Sequence, residues 1–335
     1  MIIVRTPYRI SFFGGGTDYK EYYAKNKNAG VISTSIDKYC YISVRELPNY
    51  FEHKNRLCYS KIEHFDHIHE IEHPSARSVL SLFENSAGLE IHHDGDVPAG
   101  SGLGTSSAFV IGLLNAMYAF HNIQVNRYEL ASKAIYVEQV LNKEFVGSQD
   151  QIATCYGGLN KISFSKEDQF SVMPLNISSV NKNYLLDHCL LYYTGIQRLA
   201  SDLEKQKFND IEKITNNLDR ITEIKISALK FFQDDNFDVE EIGKLLNATW
   251  HEKKGLSEKI SLPSIDEAYE VAMKKGAYGG KILGAGGGGF LLFLAPPKFH
   301  RDIDESLKKL TKIKFNFDNI GTSIILNKNP GIQYA

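Results

Sequence analysis

Pro98-Ala99-Gly100-Ser101-Gly102-Leu103-Gly104-Thr105-Ser106-Ser107-Ala108 is the stretch around which the chain is organised. Its glycines give way to hydroxyl residues and then to the apolar run Phe109 to Phe120. Three glycines let the backbone turn tightly and bring N–H groups close to a ligand, and the helix predicted to follow aims its positive dipole end at the same point. That combination is an anion cradle suited to the phosphates of a nucleotide. The bland alternative is a Gly/Ser-rich loop that only caps the helix.

Two other glycine loops fail here. A Walker A loop needs a lysine after its last glycine, and none occurs between Glu90 and Lys133. A dinucleotide fingerprint begun at Gly100 would place its third glycine on Thr105.

The remaining sequence sets bounds. A chain of 335 residues exceeds one ordinary core, so two domains are expected. With 43% hydrophobic and 23% charged residues it has the balance of a soluble globular protein. A net charge of −2 without a basic block argues against a nucleic-acid partner or a membrane-surface patch. Cys40, Cys58, Cys155 and Cys189 are scattered without a C-x-x-C pair, as expected of reduced core thiols in a cytoplasmic protein. The N-terminus is too poor in apolar residues for a signal peptide, and no run approaches membrane-spanning length.

Strands are expected at Ile2–Val4 and Ile10–Phe13, broken at Pro7, and along the alternating Tyr39–Val44. Gly14-Gly15-Gly16 ends the second strand and puts Asp18 on a turn, as a ligand-facing carboxylate or a simple Asx-turn. The histidine-rich run from Glu63 to His73 lacks a metal-ligand spacing and reads as a polar edge with its histidines in water. Asn126-x-x-Glu129 forms a capping box that starts a helix running to about Leu141. Glu138 borders that helix's apolar stripe, where it is either a partly buried carboxylate needing a cation or a surface glutamate. Asp150 alone reads as a helix N-cap. Helices over Ser201–Asp235, Val239–Lys254, Pro263–Lys275 and Phe299–Leu310, with strands flanking the glycine run after Lys281 and at Thr322–Leu326, make the C-terminal half α+β. His300-Arg301-Asp302 mimics a protein-kinase loop by chance, since Leu307 stands where asparagine is required.

Pro98 to Ala108 resembles the phosphate loop of the GHMP kinases, the group that includes galactokinase, homoserine kinase and mevalonate kinase. Thr6-Pro7-Tyr8-Arg9 with Gly14-Gly15-Gly16-Thr17-Asp18-Tyr19 resembles their first motif, and Lys281-Ile282-Leu283-Gly284-Ala285-Gly286-Gly287-Gly288-Gly289-Phe290 their third. The segment Gly147 to Gly158 resembles the one that carries their catalytic aspartate. The resemblance implies a two-domain α+β fold, with a ribosomal protein S5 domain 2-like N-terminal half (1–165) and a ferredoxin-like C-terminal half (166–335) facing across a cleft.

It also implies roles. Pro98, Gly100, Ser101, Gly102, Leu103, Gly104, Thr105, Ser106 and Ser107 would hold ATP; Ser106 and Glu138 would hold Mg²⁺. Asp150 would deprotonate the acceptor beside Arg9, and Gly15, Gly16, Thr17 and Asp18 would bind the sugar. Gly286 and Gly287 would lie at the substrate within a turn, Gly286 to Gly289, that packs on the phosphate loop. Ile36-Asp37-Lys38-Tyr39, Tyr193 to Arg198 and Trp250 to Lys254 make the chain most similar to the heptose 7-phosphate kinases, with fucokinase-like sugar 1-kinases as nearest rivals and a non-catalytic sugar sensor as the alternative of another class. The heptose reading requires cations for a remote phosphate, for which Arg198, Lys253, Lys254 and Lys281 are candidates. A small-molecule sugar phosphate is the expected partner, and the expected assembly is a monomer or homodimer.

Overall fold

The structure, a computed structural model, describes residues 1–84, 88–167, 169–197, 211–257 and 259–328. It is built on two sheets, and the groups singled out above meet where they join.

The larger sheet grows from β1 (Ile2–Phe13), which pairs antiparallel with β2 (Gly30–Glu46). No break occurs at Pro7. The strand runs through it, because a register slip between Pro7 and Tyr8 absorbs the residue that has no N–H to give. Beyond β2 lie β5 (Leu89–Gly95), β3 (Asn55–Cys58) and the edge strand β4 (Ile62–Phe65). His64, His67 and His69 are exposed on and after that edge, as expected. On the other part of β2, β6 (Leu159–Phe164) pairs and carries β7 (Phe170–Pro174) outward.

Helix α1 (Lys20–Tyr23) follows the first glycine loop and α2 (Pro74–Leu80) precedes β5. Helix α3 (Thr105–Phe120) packs on β1 and β2 and is buried on almost every side, which is why its sequence is apolar rather than striped. The Asn126/Glu129 capping box forms and starts α4 (Arg127–Tyr136). The helix does not continue as α to Leu141: Val137–Leu141 is a π turn, a local widening often found at functional sites. Helix α5 (Gln149–Tyr156) brings the chain back to β6.

The smaller sheet has the order β11-β8-β10-β9, all antiparallel, from β8 (Cys189–Tyr193), β9 (Gly279–Ile282), β10 (Phe290–Leu294) and β11 (Thr311–Lys312). Helix α6 (Ser179–His188) leads into β8, and α7 (Ile211–Phe231), α8 (Val239–Lys254) and α9 (Pro263–Lys274) separate β8 from β9. Helix α10 (His300–Ser306), shorter than expected, joins β10 to β11. That β-α-β-β-α-β path is the expected ferredoxin-like arrangement. The helix expected from Ser201 is described only from Ile211; its first part lies outside the described residues.

A division at 165/166 does not follow the sheets. β7 still belongs to the first sheet, and the chain's end returns to it as β12 (Phe317–Asp318) beside β2 and β13 (Ser323–Asn327) beside β1. The C-terminal pattern is locally that of a strand, and nothing local says which sheet it completes. Across the seam, the Phe232 ring centroid lies 6.2 Å from those of Phe12 and Phe13, and the Tyr22 hydroxyl donates to Asp219 at 2.7 Å.

Candidate active site

A cavity of about 480 Å³ opens at the seam, lined from both halves. Its floor is the N-terminus of α3. Gly104 holds the N-cap position and offers no side chain, so the N–H groups of the first turn stay open to an anion. The loop ahead of it is pinned by Arg9, whose backbone N–H donates to the Leu103 carbonyl at 3.0 Å and whose Nη1 donates to the Gly102 carbonyl at 2.6 Å. The third glycine motif closes on the same loop. A Cβ on Gly102 (φ +85°) would lie 2.6 Å from the Leu283 carbonyl oxygen, and one on Gly284 2.6 Å from the Gly102 Cα, so neither backbone tolerates a side chain there.

Several residues expected to touch ligand prove to be scaffold. Pro98, Ser101 and Leu103 do not line the cavity, and Ser101 and Leu103 are fully buried beneath the loop. Thr17 is buried too, with its hydroxyl spent on the Gly14 and Gly30 carbonyls at 2.8 and 3.0 Å. Gly287 turns away to donate to the Ile260 carbonyl, whereas Gly286 lines the cavity. Within the expected Gly286–Gly289 contact, only Gly289 abuts the loop, at Ser101; Gly286 packs on Ile260.

Arg9 and Asp150 form a two-pronged pair. Nε and Nη2 donate to the two carboxylate oxygens at 2.8 and 2.7 Å. Arg9 is buried, while the Asp150 side chain retains 27% exposure toward the cavity, in the first turn of α5. This bidentate, charge-assisted pairing fixes the Asp150 carboxylate at the cavity wall.

Asp18 lies beside this pair. Its two oxygens accept from the backbone N–H groups of Gly16 at 3.0 Å and Gln149 at 3.2 Å, and it packs so closely on Gly147 that a Cβ there would sit 1.9 Å from Oδ2. Burial, then the charge of Asp150, raise its pKa to about 6 against the pull of those N–H groups.

Glu138 occupies the π turn at the other end of the loop. Its Oε2 accepts from Ser107 Oγ at 3.1 Å and Gln151 Nε2 at 2.5 Å, and its Oε1 is buried with no partner. Burial, followed by the nearby Glu144 charge, pushes its pKa up to about 8. The hydroxyl on Glu138 is therefore that of Ser107; Ser106, the expected partner, is exposed on the cavity rim one helical step round. A buried carboxylate oxygen without a donor, beside a second carboxylate, suits a divalent cation. Among the described residues there is no group of three or more His, Cys, Asp or Glu that could hold a metal ion.

The cavity's lysines are already engaged. Lys281 is 2% exposed and donates to the Ser11 and Phe12 carbonyls at 3.0 and 3.1 Å, tying β9 to β1; burial, then the Arg9 charge, lower its pKa to about 7. Lys253 donates to the Ile282 and Gly284 carbonyls at 3.0 and 2.5 Å. Lys254 pairs with Asp266 outside the cavity. Arg198 lies outside the described residues.

Sequence reading missed the far wall. His73 is not a water-facing histidine: its Nδ1 accepts the Ala76 N–H at the start of α2, and its ring stacks on Phe109 at 4.6 Å, with His93 edge-on at 5.1 Å. Burial lowers the pKa of both imidazoles, so both are neutral at physiological pH. Three elements supply these rings, and no spacing signal links them.

A family model described as the GHMP kinases N terminal domain matches residues 74–158, and one described as GHMP kinases C terminal matches residues 228–306. The D-glycero-alpha-D-manno-heptose 7-phosphate kinase of Campylobacter jejuni is 30% identical over 324 residues, covering 92% of this chain and 93% of the relative. The chain belongs to the GHMP kinase family. It is therefore a phosphotransferase with an alcohol group as acceptor. A second relative of this GHMP kinase is the L-fucokinase/L-fucose-1-P guanylyltransferase of Bacteroides fragilis, 30% identical over 239 residues that make up 66% of the chain and 24% of that longer protein. The solved structure of a D-glycero-D-manno-heptose 1-phosphate kinase from Bacteroides thetaiotaomicron superposes with a TM-score of 0.78 at 22% identity, over 98% of this chain and 99% of that one, a likeness of fold. Among the described residues no helix is long and apolar enough to cross a membrane.

Proposed function

We propose that this GHMP kinase transfers the γ-phosphoryl group of ATP to the anomeric hydroxyl of D-glycero-D-manno-heptose 7-phosphate, giving the 1,7-bisphosphate. The observation that carries the reading is the Arg9–Asp150 pair standing between the α3 N-terminus and the buried Asp18 in one cavity. Along it, the stacked His73 and Phe109 rings, with His93 edge-on to Phe109, form a neutral wall suited to a purine, the loop from Gly100 to Ser107 offers N–H groups to phosphates, and Asp18 offers acceptors to hydroxyls.

Glu138 and Ser107, with Ser106 at the rim, are the residues that would hold Mg²⁺, which when bound neutralises charge on the β- and γ-phosphates. Asp150 takes the proton of the acceptor hydroxyl as its oxygen bonds to the γ-phosphorus and the bond to ADP breaks. Arg9 holds the Asp150 carboxylate in place, and its guanidinium and the α3 N-terminus oppose the charge on the transferring group. The Asp18 carboxylate aligns the acceptor by bonds to neighbouring hydroxyls.

The heptose assignment is supported by the full-length similarity to the Campylobacter jejuni enzyme. One observation favours the plain sugar 1-kinase alternative: Arg9, Lys253 and Lys281, the described cations of the cavity, are all bonded within the protein. The test is kcat/KM for heptose 7-phosphate, unphosphorylated heptose and L-fucose at fixed ATP and Mg²⁺. The 7-phosphate is expected to lead by at least roughly tenfold through remote binding energy. Equal use of either free sugar replaces the heptose reading with the alternative.

A further inference from the structure

Gln149 stands between the two carboxylates of the site. Its backbone N–H donates to Asp18, and the next residue is Asp150. Its side-chain Oε1 accepts from the Ser11 hydroxyl at 2.7 Å, and Ser11 is itself 4% exposed and fixed by Lys281 on its carbonyl. As placed, the amide sets Oε1 on the Ser11 hydroxyl and turns Nε2 toward the first glycine loop. With Oε1 occupied, Nε2 is left with two N–H donors and, among the described residues, no hydrogen-bond acceptor. It lies above the first glycine loop, 3.8 Å from where a Cβ on Gly15 would be, and both residues line the cavity.

An oriented amide donor beside a carboxylate acceptor is complementary to a hydroxyl, or to two neighbouring hydroxyls, each of which gives one hydrogen bond and takes one. A lone alcohol would leave the Gln149 amide unpaired, and an acidic group at this point would meet Asp18. The acceptor class selected is a polyol with a free hydroxyl next to the one attacked.

We infer that Gln149 is a substrate-binding residue that sets acceptor specificity, its Nε2 donating to the hydroxyl adjacent to the reacting one, with Ser11 as the positioning residue that holds the amide in that orientation. The inference rests on the sugar-kinase reading and names the group that recognises the sugar.

The test is steady-state kinetics of wild type, Gln149→Leu and Ser11→Ala, using heptose 7-phosphate or, if wild type prefers it, L-fucose, each alongside its 2-deoxy analogue. Wild type should use the 2-deoxy sugar at least tenfold less well. Gln149→Leu should raise the sugar KM roughly tenfold, leave the ATP KM unchanged, lower the melting temperature by only a few degrees as the Ser11 hydroxyl loses its acceptor, and discriminate between the two sugars less than threefold. Ser11→Ala should raise the sugar KM by a smaller factor, since the amide remains but is no longer held. A fall in kcat with an unchanged sugar KM in Gln149→Leu, or undiminished discrimination, overturns the inference while the sugar-kinase reading stands. Failure of wild type to phosphorylate any sugar overturns that reading, and this inference with it.

Discussion

On the proposed reading, Asp18 ties acceptor binding to pH. The buried carboxyl carries a pKa near 6 instead of its ordinary 3.8, and only the ionised form can accept from substrate hydroxyls on both oxygens while keeping its bonds from Gly16 and Gln149. At pH 5 about one-tenth of the enzyme would hold Asp18 ionised, so kcat/KM for the sugar should fall about tenfold between pH 7.5 and 5. Phosphates of both substrates titrate in the same range, and the quantity to measure is therefore the ratio of wild type to Asp18→Asn, in which substrate ionisations cancel. At pH 7.5 the variant should be weaker by roughly one to two orders of magnitude, because an amide turns a donor toward one of the two N–H groups and loses a charge-assisted bond to the sugar. The ratio should then shrink about tenfold by pH 5. Stability moves with the opposite sense. Because the folded pKa lies above the unfolded one, the folded protein binds more protons between pH 4 and 6, and its stability falls as pH rises through that window by about 1.4 kcal/mol per unit, about 3 kcal/mol in all. Asp18→Asn should lack that component. A rate ratio that stays flat from pH 7.5 to 5, or that bends near pH 4, would show that Asp18 is not the titrating group.

Asp150→Asn keeps the shape of the side chain but removes the base, and turnover should drop by at least roughly a hundredfold with nucleotide affinity little changed; near-normal turnover would remove Asp150 from the chemistry. Because the Glu138 pKa stands near 8, binding of Mg²⁺ with a non-hydrolysable ATP analogue at pH 7 should release close to one proton per site, read from the buffer dependence of the calorimetric heat. Glu138→Gln should abolish that release and raise the half-saturating Mg²⁺, and if both are unchanged Glu138 is not a ligand. Gly102→Ala forces a Cβ to within 2.6 Å of the Leu283 carbonyl at a left-handed φ, so it should lower the melting temperature by several degrees and raise the ATP KM; a variant with wild-type stability would mean that the two loops are not in contact.

What could be read from the sequence was written in residue types that have few alternatives. The glycine loop was legible because left-handed turns and close backbone contact demand glycine, as the Gly102–Gly284 approach shows; Asp18 stood out as a carboxylate after a glycine triplet, and Asp150, alone only a helix N-cap, through the resemblance of Gly147 to Gly158 to the family's segment. Ser106 and Ser107 could not be separated in the same way. Neighbours on a helix point about 100° apart, and which one meets Glu138 depends on how α3 sits against α4, a tertiary fact. The burial of Lys281 was hidden for a related reason: an isolated lysine ahead of a glycine run looks solvated, and only the approach of β9 to β1 gives its ammonium two carbonyls. Pro7 misled in the other direction, since proline demotes a strand in local logic, while a slip in register lets β1 carry it.

On the proposed reading, the two ends of the seam differ in charge. At the end proposed for the acceptor, Arg9 pairs with Asp150, while the buried Lys281 is held by two carbonyls with its pKa lowered to about 7. At the end proposed for the metal, Glu138 and Glu144 stand together with no lysine or arginine paired to either among the described residues, and burial raises the pKa of both, that of Glu138 to about 8. Glu138 and Ser107 would hold Mg²⁺ there with release of the Glu138 proton, and the open N–H groups of α3 would take the phosphates. The acceptor end needs no such exchange, because its carboxylates are set by fixed partners: Arg9 on Asp150, and two backbone N–H groups on Asp18. The α5 N-terminus joins the two, since Gln149, Asp150 and Gln151 reach Asp18, Arg9 and Glu138 in turn. A shift of that one turn would therefore change sugar alignment, base position and metal binding together. This is a physical reason for the site to be built on a short helix packed into the fold and not on a free loop.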